Sequence, residues 1–448
     1  MINFIKKNSK LIIVFIFTLA VYIFLGFYVN NGDPTASYGF SHAIKNGEIV
    51  YRDFNTVSTP LYAFYCSIFL LIWDNFLMFI IAQSILVTIM FYFLFKLLGN
   101  RAWVVLLSMI LFKFFGFNAT YNFCCLVMSV IVLYLEQKYP KKDILIGVFL
   151  ALAVLSKQTV GFLFILPSFI ICFKDYKRLL KRIIGFIIPM SVFFIYLLVT
   201  GSLYNFIDLC FLGLFDFGGN NNYLFTFWFY SVVVLLIINI IILIKDKKIT
   251  DYYGLMYLGF VLPIFDLNHF AYYFVGFTIT VLLHIKELNK YKMILVVALI
   301  IQLTLFNYFM GTRDNYPVFY KDINHFEYRY NYERDYKEDK KLSEFIDRYI
   351  DYDPILIMYY SMSYNISHDR NISYFDIFLY GNHGYNGTKK MINKIKKMKN
   401  QYFIINMGEY EDSKNQKNNQ FNVEIIDYIV KNSTKLECKN KVCVYYKK

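Results

Sequence analysis

Apolar runs of about a bilayer's depth recur along this chain, separated by short polar stretches in which lysine and arginine gather. The first runs from Leu11 to Val29, behind Lys6, Lys7 and Lys10, and no small-residue cleavage site follows it. It therefore reads as a span and not as a removed signal. Leu61 to Trp73 is apolar over too short a distance to cross and is expected to lie along the membrane surface. Phe76 to Leu98 is long enough. Further spans are expected near 102–117, 121–135, 144–156, 158–173, 183–200, 223–244, 252–266, 269–285 and 291–310, about eleven in all.

Charge orients this pattern. Alternation from a cytoplasmic amino terminus puts Lys96, Arg101, Lys138, Lys141, Lys142 and Lys174 inside, together with the basic groups of 177–182, 245–248 and 286–292. Outer segments before residue 311 then hold only Lys45, Arg52, Lys113 and Lys157, the asymmetry that membrane insertion selects. The expected architecture is an α-helical polytopic membrane protein with its amino terminus cytoplasmic. Residues 1–310 form the transmembrane domain, with a first external loop and juxtamembrane helices over 30–75; 311–341 is a surface linker, and 342–448 an extracytoplasmic α/β domain.

In that last domain the pattern predicts helices at Lys341 to Ile350, Thr388 to Lys399 and Val423 to Val430. Strands are expected at Ile355 to Tyr360, Tyr374 to Tyr380, Tyr402 to Met407, Lys435 to Cys438 and Val442 to Tyr446.

Composition agrees with the membrane reading. Of 448 residues 58% are hydrophobic and only 17% charged, which excludes an ordinary soluble domain. The net charge of +14 would suggest a polyanion partner in a soluble chain, but much of it sits in short loops where it sets orientation, so nucleic acid is not implied. Five of the seven cysteines lie in or beside apolar runs and read as small buried residues. Cys438 and Cys443 would face one another if Asn440 and Lys441 form a hairpin turn, which leaves a disulfide open. Paired CxxC motifs, HExxH and a Walker-type loop are missing, which removes support from zinc hydrolase and nucleotide-driven pump readings.

Ionisable groups near one membrane face are where chemistry would gather. On the outer side these are Asp33, Glu48, Arg52, Asp53, Lys113, Lys157, Asp208, Asp216, Asp266 and His269. Asp33 is followed by Pro34, which equally suits a helix cap with proline in the first turn. The stretch 200–222, with Asp208, Asp216 and a Gly/Asn run, reads either as a substrate lid or as a plain connector.

The first loop carries a resemblance. Asp33, Tyr38, Asn46-Gly47-Glu48-Ile49-Val50-Tyr51-Arg52-Asp53-Phe54 and Thr59-Pro60-Leu61-Tyr62 resemble the first external loop of GT-C glycosyltransferases, in the branch of protein O-mannosyltransferases and bacterial aminoarabinose transferases. The likeness extends to the helix after Pro60, to the break Leu155-Ser156-Lys157-Gln158 within an apolar hairpin, and to the strand-rich tail.

What the resemblance implies is an inverting transferase that takes a sugar from a polyprenyl-phosphate donor, with Asp33 as base toward the acceptor hydroxyl. Tyr38, Arg52, Asp53, Lys157, His269 and Tyr273 would line the substrate site. Lys157 and His269 best match the cations that balance the departing lipid phosphate; Arg52 and Lys113 are further candidates. The acceptor, a glycan, lipid or protein, stays open. No cofactor is assigned. A divalent cation is an alternative that Pro34 after Asp33, and Asn118 to Asn122 in the second loop, argue against, since metal-requiring members carry acids there. Membrane lipids are the other expected partner.

Two other classes compete. A glycan polymerase, ligase or lipid-linked sugar flippase would handle the same lipids without Asp33 chemistry. A secondary transporter would show inverted repeats and midplane charges, and no such repeat is evident. In the tail, Tyr328, Arg329, Tyr330, Tyr332 and Arg334 either anchor it over the cavity mouth or belong to a plain linker.

Overall fold

The computed structural model of the chain describes residues 33–98, 120–220, 227–261, 267–284, 292–298, 336–358, 361–368, 370–376, 378, 381–415 and 421–448, with isolated positions between 12 and 29 and at 301, 318 and 319. The expected span at 102–117, Lys113, Asp266 and the aromatic and basic residues of 328–334 lie outside these.

Helix dominates, as the apolar runs require. Among the described residues, three helices are long and apolar enough to cross a membrane: Phe76–Leu98, Tyr176–Val199 and Phe229–Asp246. Tyr176–Val199 leaves Ile184, Ile188, Val192, Ile195 and Val199 open along its length. In water such a face would be an unpartnered apolar stripe, whereas lipid covers it at no cost.

Shorter apolar helices alternate around these. Tyr121–Lys138 starts beside Lys157 and runs away from it, Asp143–Ser156 runs back to a break at Lys157, and Gln158–Cys172 departs from that break. Asp143–Ser156 lies close against Tyr176–Val199 because Gly147 and Gly185 let the backbones meet. A Cβ at Gly147 would fall 2.0 Å from the carbonyl oxygen of Arg182, and one at Gly185 2.1 Å from that of Ile144.

One end of these helices is knotted by buried charge. The Arg182 guanidinium donates to both Glu136 carboxylate oxygens, at 2.5 and 2.9 Å, and to Asp143 Oδ1 at 2.9 Å. Arg178 donates to Asp143 Oδ2 at 3.1 Å, and Ser168 Oγ to Glu136 Oε1 at 3.0 Å. Segments 136–143, 168–182, 246–251 and 284 therefore share one end, the last two through Gln137 to Thr250 and His284 to Asp251. The other end gathers the first loop, the break at Lys157 and the 203–216 segment.

The first loop holds two helices, α1 (Asp33–Lys45) and α2 (Leu61–Ile72). The first begins at Asp33–Pro34, where cap and proline predict a start. The second is a helix over the short apolar run and leaves Ile68, Leu71, Ile72 and Trp73 exposed at its end.

The C-terminal unit is a four-stranded sheet of β1 (Ile355–Ile357), β2 (Gln401–Asn406), β3 (Thr434–Lys439) and β4 (Val442–Lys447), in the order β1-β2-β4-β3. β1 and β2 are parallel and the other pairs antiparallel. Side chains alternate along β2, so Phe403 and Ile405 face α3 (Gly387–Lys397) and α4 (Val423–Asn432), while Ile404 joins the core beneath α5 (Tyr336–Asp347). Cys438 and Cys443 form a disulfide across the β3–β4 hairpin, whose turn residues Asn440 and Lys441 both take positive φ.

Two expectations for this unit fail. The described residues of 374–378 make turns and not a strand, because Asp376 Oδ2 accepts the Ser373 N–H at 2.6 Å and bends the chain there. Phe375 and Phe378 still enter the core. Helix Met407–Asn415 occupies a stretch with no apolar periodicity and was not foreseen.

Candidate functional site

The loop after α1 is a wall with two faces. Its inner face (Val50, Phe54, Thr56 and Thr59) borders a cavity of about 20 Å³, closed by Ser37 of α1, Tyr62 of α2 and Tyr121. Its outer face (Asn46, Glu48, Arg52 and Asp53) borders a cleft of about 570 Å³, whose opposite side is Asn371, Tyr374 and Lys394 of the C-terminal unit.

Several anchors hold this wall. Gln158, beside the break, accepts the Thr59 N–H at 3.1 Å and donates to the carbonyl oxygens of Val57 at 2.6 Å and Cys210 at 3.2 Å. Tyr51, with φ of 69°, offers its carbonyl oxygen to both the Asn205 amide at 2.9 Å and the Tyr374 hydroxyl. Asn55 donates to the Asn382 carbonyl oxygen. Loop, helix break, 203–216 segment and C-terminal unit are thus one hydrogen-bonded assembly.

Lys157 sits behind Tyr121, which lines the inner cavity. It ends one helix with extended backbone (φ −153°, ψ 105°), and its ammonium donates to Asn122 Oδ1 and lies 5.6 Å from the Tyr121 ring centroid. It is 6% exposed. Asn122 serves the lysine as its acceptor. Next to it, Thr120 shares a 2.8 Å hydrogen bond with Tyr272 of the helix Leu267–His284, the helix that also carries the buried His269 and Tyr273.

The sequence-predicted residues thus separate into two groups. Lys157, His269 and Tyr273 belong to the helical body and do not line the inner cavity, Lys157 reaching it only through Tyr121; position 33 lies one helical turn before Ser37, on the same face of α1. Tyr38 packs into the core, edge-on to Phe76 and Phe79 at 5.2 and 5.3 Å. Arg52 and Asp53 stand apart from these in the outer cleft. They form a two-pronged ion pair with each other, both contacts at 2.9 Å, and the guanidinium holds the Asp53 carboxyl below its usual range.

Glu48 is a different case. One carboxylate oxygen accepts the Ile372 N–H at 3.4 Å, and the other is buried with no hydrogen-bond partner. Burial, with a smaller push from Asp53 and Asp376, raises its pKa to about 7. Nearby Asp376, also desolvated, is raised to about 6.

Asp208 and Asp216 tie the 203–216 segment to the C-terminal unit. Asp208 sits in a π-helical turn, where its carboxylate accepts from Lys390 Nζ at 2.7 Å and from the Tyr385 N–H at 3.2 Å. Asp216 accepts the Asn386 N–H at 2.7 Å. Both therefore latch the 203–216 segment to the start of α3, where two carboxylates also suit the helix N-terminus. His383 takes no part as a cation, since burial pushes its pKa down to about 4.

The latch requires Gly384, which has φ of +77° and a Cα whose added Cβ would lie 2.2 Å from Asp208 Oδ2. Gly384→Ala is expected to cost about 1–2 kcal/mol from backbone conformation alone, and to release the latch. Hydrogen exchange over 203–216 should rise in the variant; unchanged exchange there would show that the latch tolerates the methyl group.

Tyr374 escaped sequence reasoning; Tyr51 and Gln158 were signalled by their places in the first-loop motif and in the break, though not as anchors. Among the described residues no group of three or more His, Cys, Asp or Glu side chains is placed to hold a metal ion. No family model matches the chain, and neither characterised proteins nor solved structures show significant similarity to it.

Proposed function

We propose that the chain is a membrane glycosyltransferase of the GT-C type, with about eleven spans, a cytoplasmic amino terminus and an extracytoplasmic C-terminal domain. It moves a sugar from a polyprenyl-phosphate donor to an acceptor hydroxyl with inversion. The observation that carries this reading is the assembly on one side of the helical body. The first loop is hydrogen-bonded to both the Lys157 break and the C-terminal unit, and its inner face borders a cavity also lined by the helix that starts at Asp33.

In one displacement, Asp33 takes the proton of the acceptor hydroxyl as its oxygen attacks the anomeric carbon. The bond from that carbon to the lipid phosphate breaks on the opposite face, and the phosphate leaves with the bonding electrons. Lys157 balances its charge. The cavity of about 20 Å³ holds no more than a water, so the sugar enters when the loop wall shifts.

The test is release of lipid phosphate by the reconstituted full chain, offered a panel of polyprenyl-phosphate sugars. Asp33→Asn should lower turnover about 10²–10⁴-fold, the worth of a general base. A folded variant that keeps pace would remove Asp33 from the chemistry. A wild type inert on every donor would sink the transferase reading and favour a polymerase or flippase.

A further inference from the structure

The outer cleft does not belong to the inner cavity, yet it has the dimensions of a ligand site. At about 570 Å³ it falls within the roughly 300–1,000 Å³ typical of such sites. Its chemistry narrows the ligand. Arg52 and Asp53 neutralise one another on the loop side, and Glu48 stands across from Lys394, so no large charge of either sign gathers in the cleft. A free phosphate would meet two carboxyl groups, and an amine two cations. Ile372 is the one aliphatic side chain in the lining, so an acyl tail or an apolar peptide side chain would gain little there.

What the lining offers is hydrogen bonding from planar groups. Asn371 presents a donor and an acceptor, Asn46 adds what its bonds to His42 and Lys45 leave over, Arg52 presents donors, and the carboxylates present acceptors. Adjacent ring hydroxyls, each donor and acceptor at once, match such a set. The Lys394 ammonium lies 4.9 Å from the Tyr374 ring centroid and fixes that side of the cleft.

We propose that this cleft, between the outer face of the first loop and the C-terminal unit, binds an uncharged oligosaccharide segment through its hydroxyl groups. Because the same loop walls the inner cavity, a glycan held here stands one loop thickness from it. Its role as the acceptor rests on the transferase reading, whereas the binding itself does not.

The experiment is saturation-transfer NMR on the full chain in nanodiscs, with neutral trisaccharides of glucose, galactose, mannose, rhamnose and N-acetylglucosamine. Inorganic phosphate serves as the anionic competitor. Transfer to the ring protons of at least one trisaccharide is expected, undisturbed by phosphate at equal concentration. The exposed pair Arg52→Ala and Asn371→Ala should weaken binding at least tenfold, and Lys389→Ala, outside the lining, should leave it unchanged.

Three results would overturn the proposal: no transfer to any trisaccharide, transfer insensitive to the double substitution, or displacement by phosphate. Lipid-phosphate release on the same preparations separates the two readings. Binding without release keeps the glycan cleft and removes the transferase; release without binding removes the cleft alone.

Discussion

Arg182→Met is expected to destabilise the folded chain by about 3–5 kcal/mol, the cost of leaving buried carboxylates without their cation. Glu136 and Asp143 expose 1% and 3% of their side chains, and Arg182 is the only described group that bonds to both. Its removal leaves Glu136 with the Ser168 hydroxyl and Asp143 with Arg178. Arg182→Lys should recover only part of the loss, since an ammonium cannot reproduce the two-pronged contact with Glu136. Arg178→Met provides the contrast. Its side chain is 26% exposed and bonds to Asp143 alone of the two acids, so it should cost about 1 kcal/mol or less. The measurement is thermal unfolding of the three variants in nanodiscs. Equal losses for Arg178→Met and Arg182→Met would mean that buried charge does not tie these helices together.

This knot shows what a sequence can and cannot disclose. The apolar runs around it announce their helices, and the lysines and arginines at their ends announce a shared side. Partner choice is hidden, because Arg178 and Arg182 look like two more loop cations until the Gly147 and Gly185 contact brings Asp143 beneath them. The C-terminal unit divides in the same way. Its strands at 401–406, 434–439 and 442–447 were legible from apolar alternation and from the Asn440-Lys441 turn, which also settles the open pairing of Cys438 with Cys443. The run 374–378 misleads, since two core rings there come from a turn shaped by the Asp376 side chain.

The candidate site was legible only in part. Lys157 was marked by its helix break, but Arg52 and Asp53 share a motif with residues of the inner face and point to the other. Val50 and Phe54 line the cavity while Arg52 and Asp53 line the cleft, a division that arises from the hydrogen bonds anchoring Tyr51. Those bonds come from far along the chain, the one from Tyr374 across more than half of it, and leave no local trace in the sequence.

Lys157→Met should lower turnover about 10²–10³-fold, on the transferase reading, the typical worth of one fixed charge or donor at a developing anion. Folding should be affected far less. A methionine stem fills nearly the same volume, and a buried ammonium carries a desolvation cost that the substitution removes. A residue kept for function shows this divergence of activity from stability. Lys157→Arg keeps the charge, but the larger guanidinium must displace Asn122 or the Tyr121 ring, so it should recover only part of the rate. Asn122→Ala tests positioning: the ammonium remains without that tether, and the loss should be smaller than for Lys157→Met. Turnover of each variant is read beside its unfolding temperature. If Lys157→Met loses activity only in step with its fold, the lysine is a structural anchor of the break; if it keeps wild-type turnover, the leaving phosphate is balanced elsewhere, and His269 becomes the group to replace.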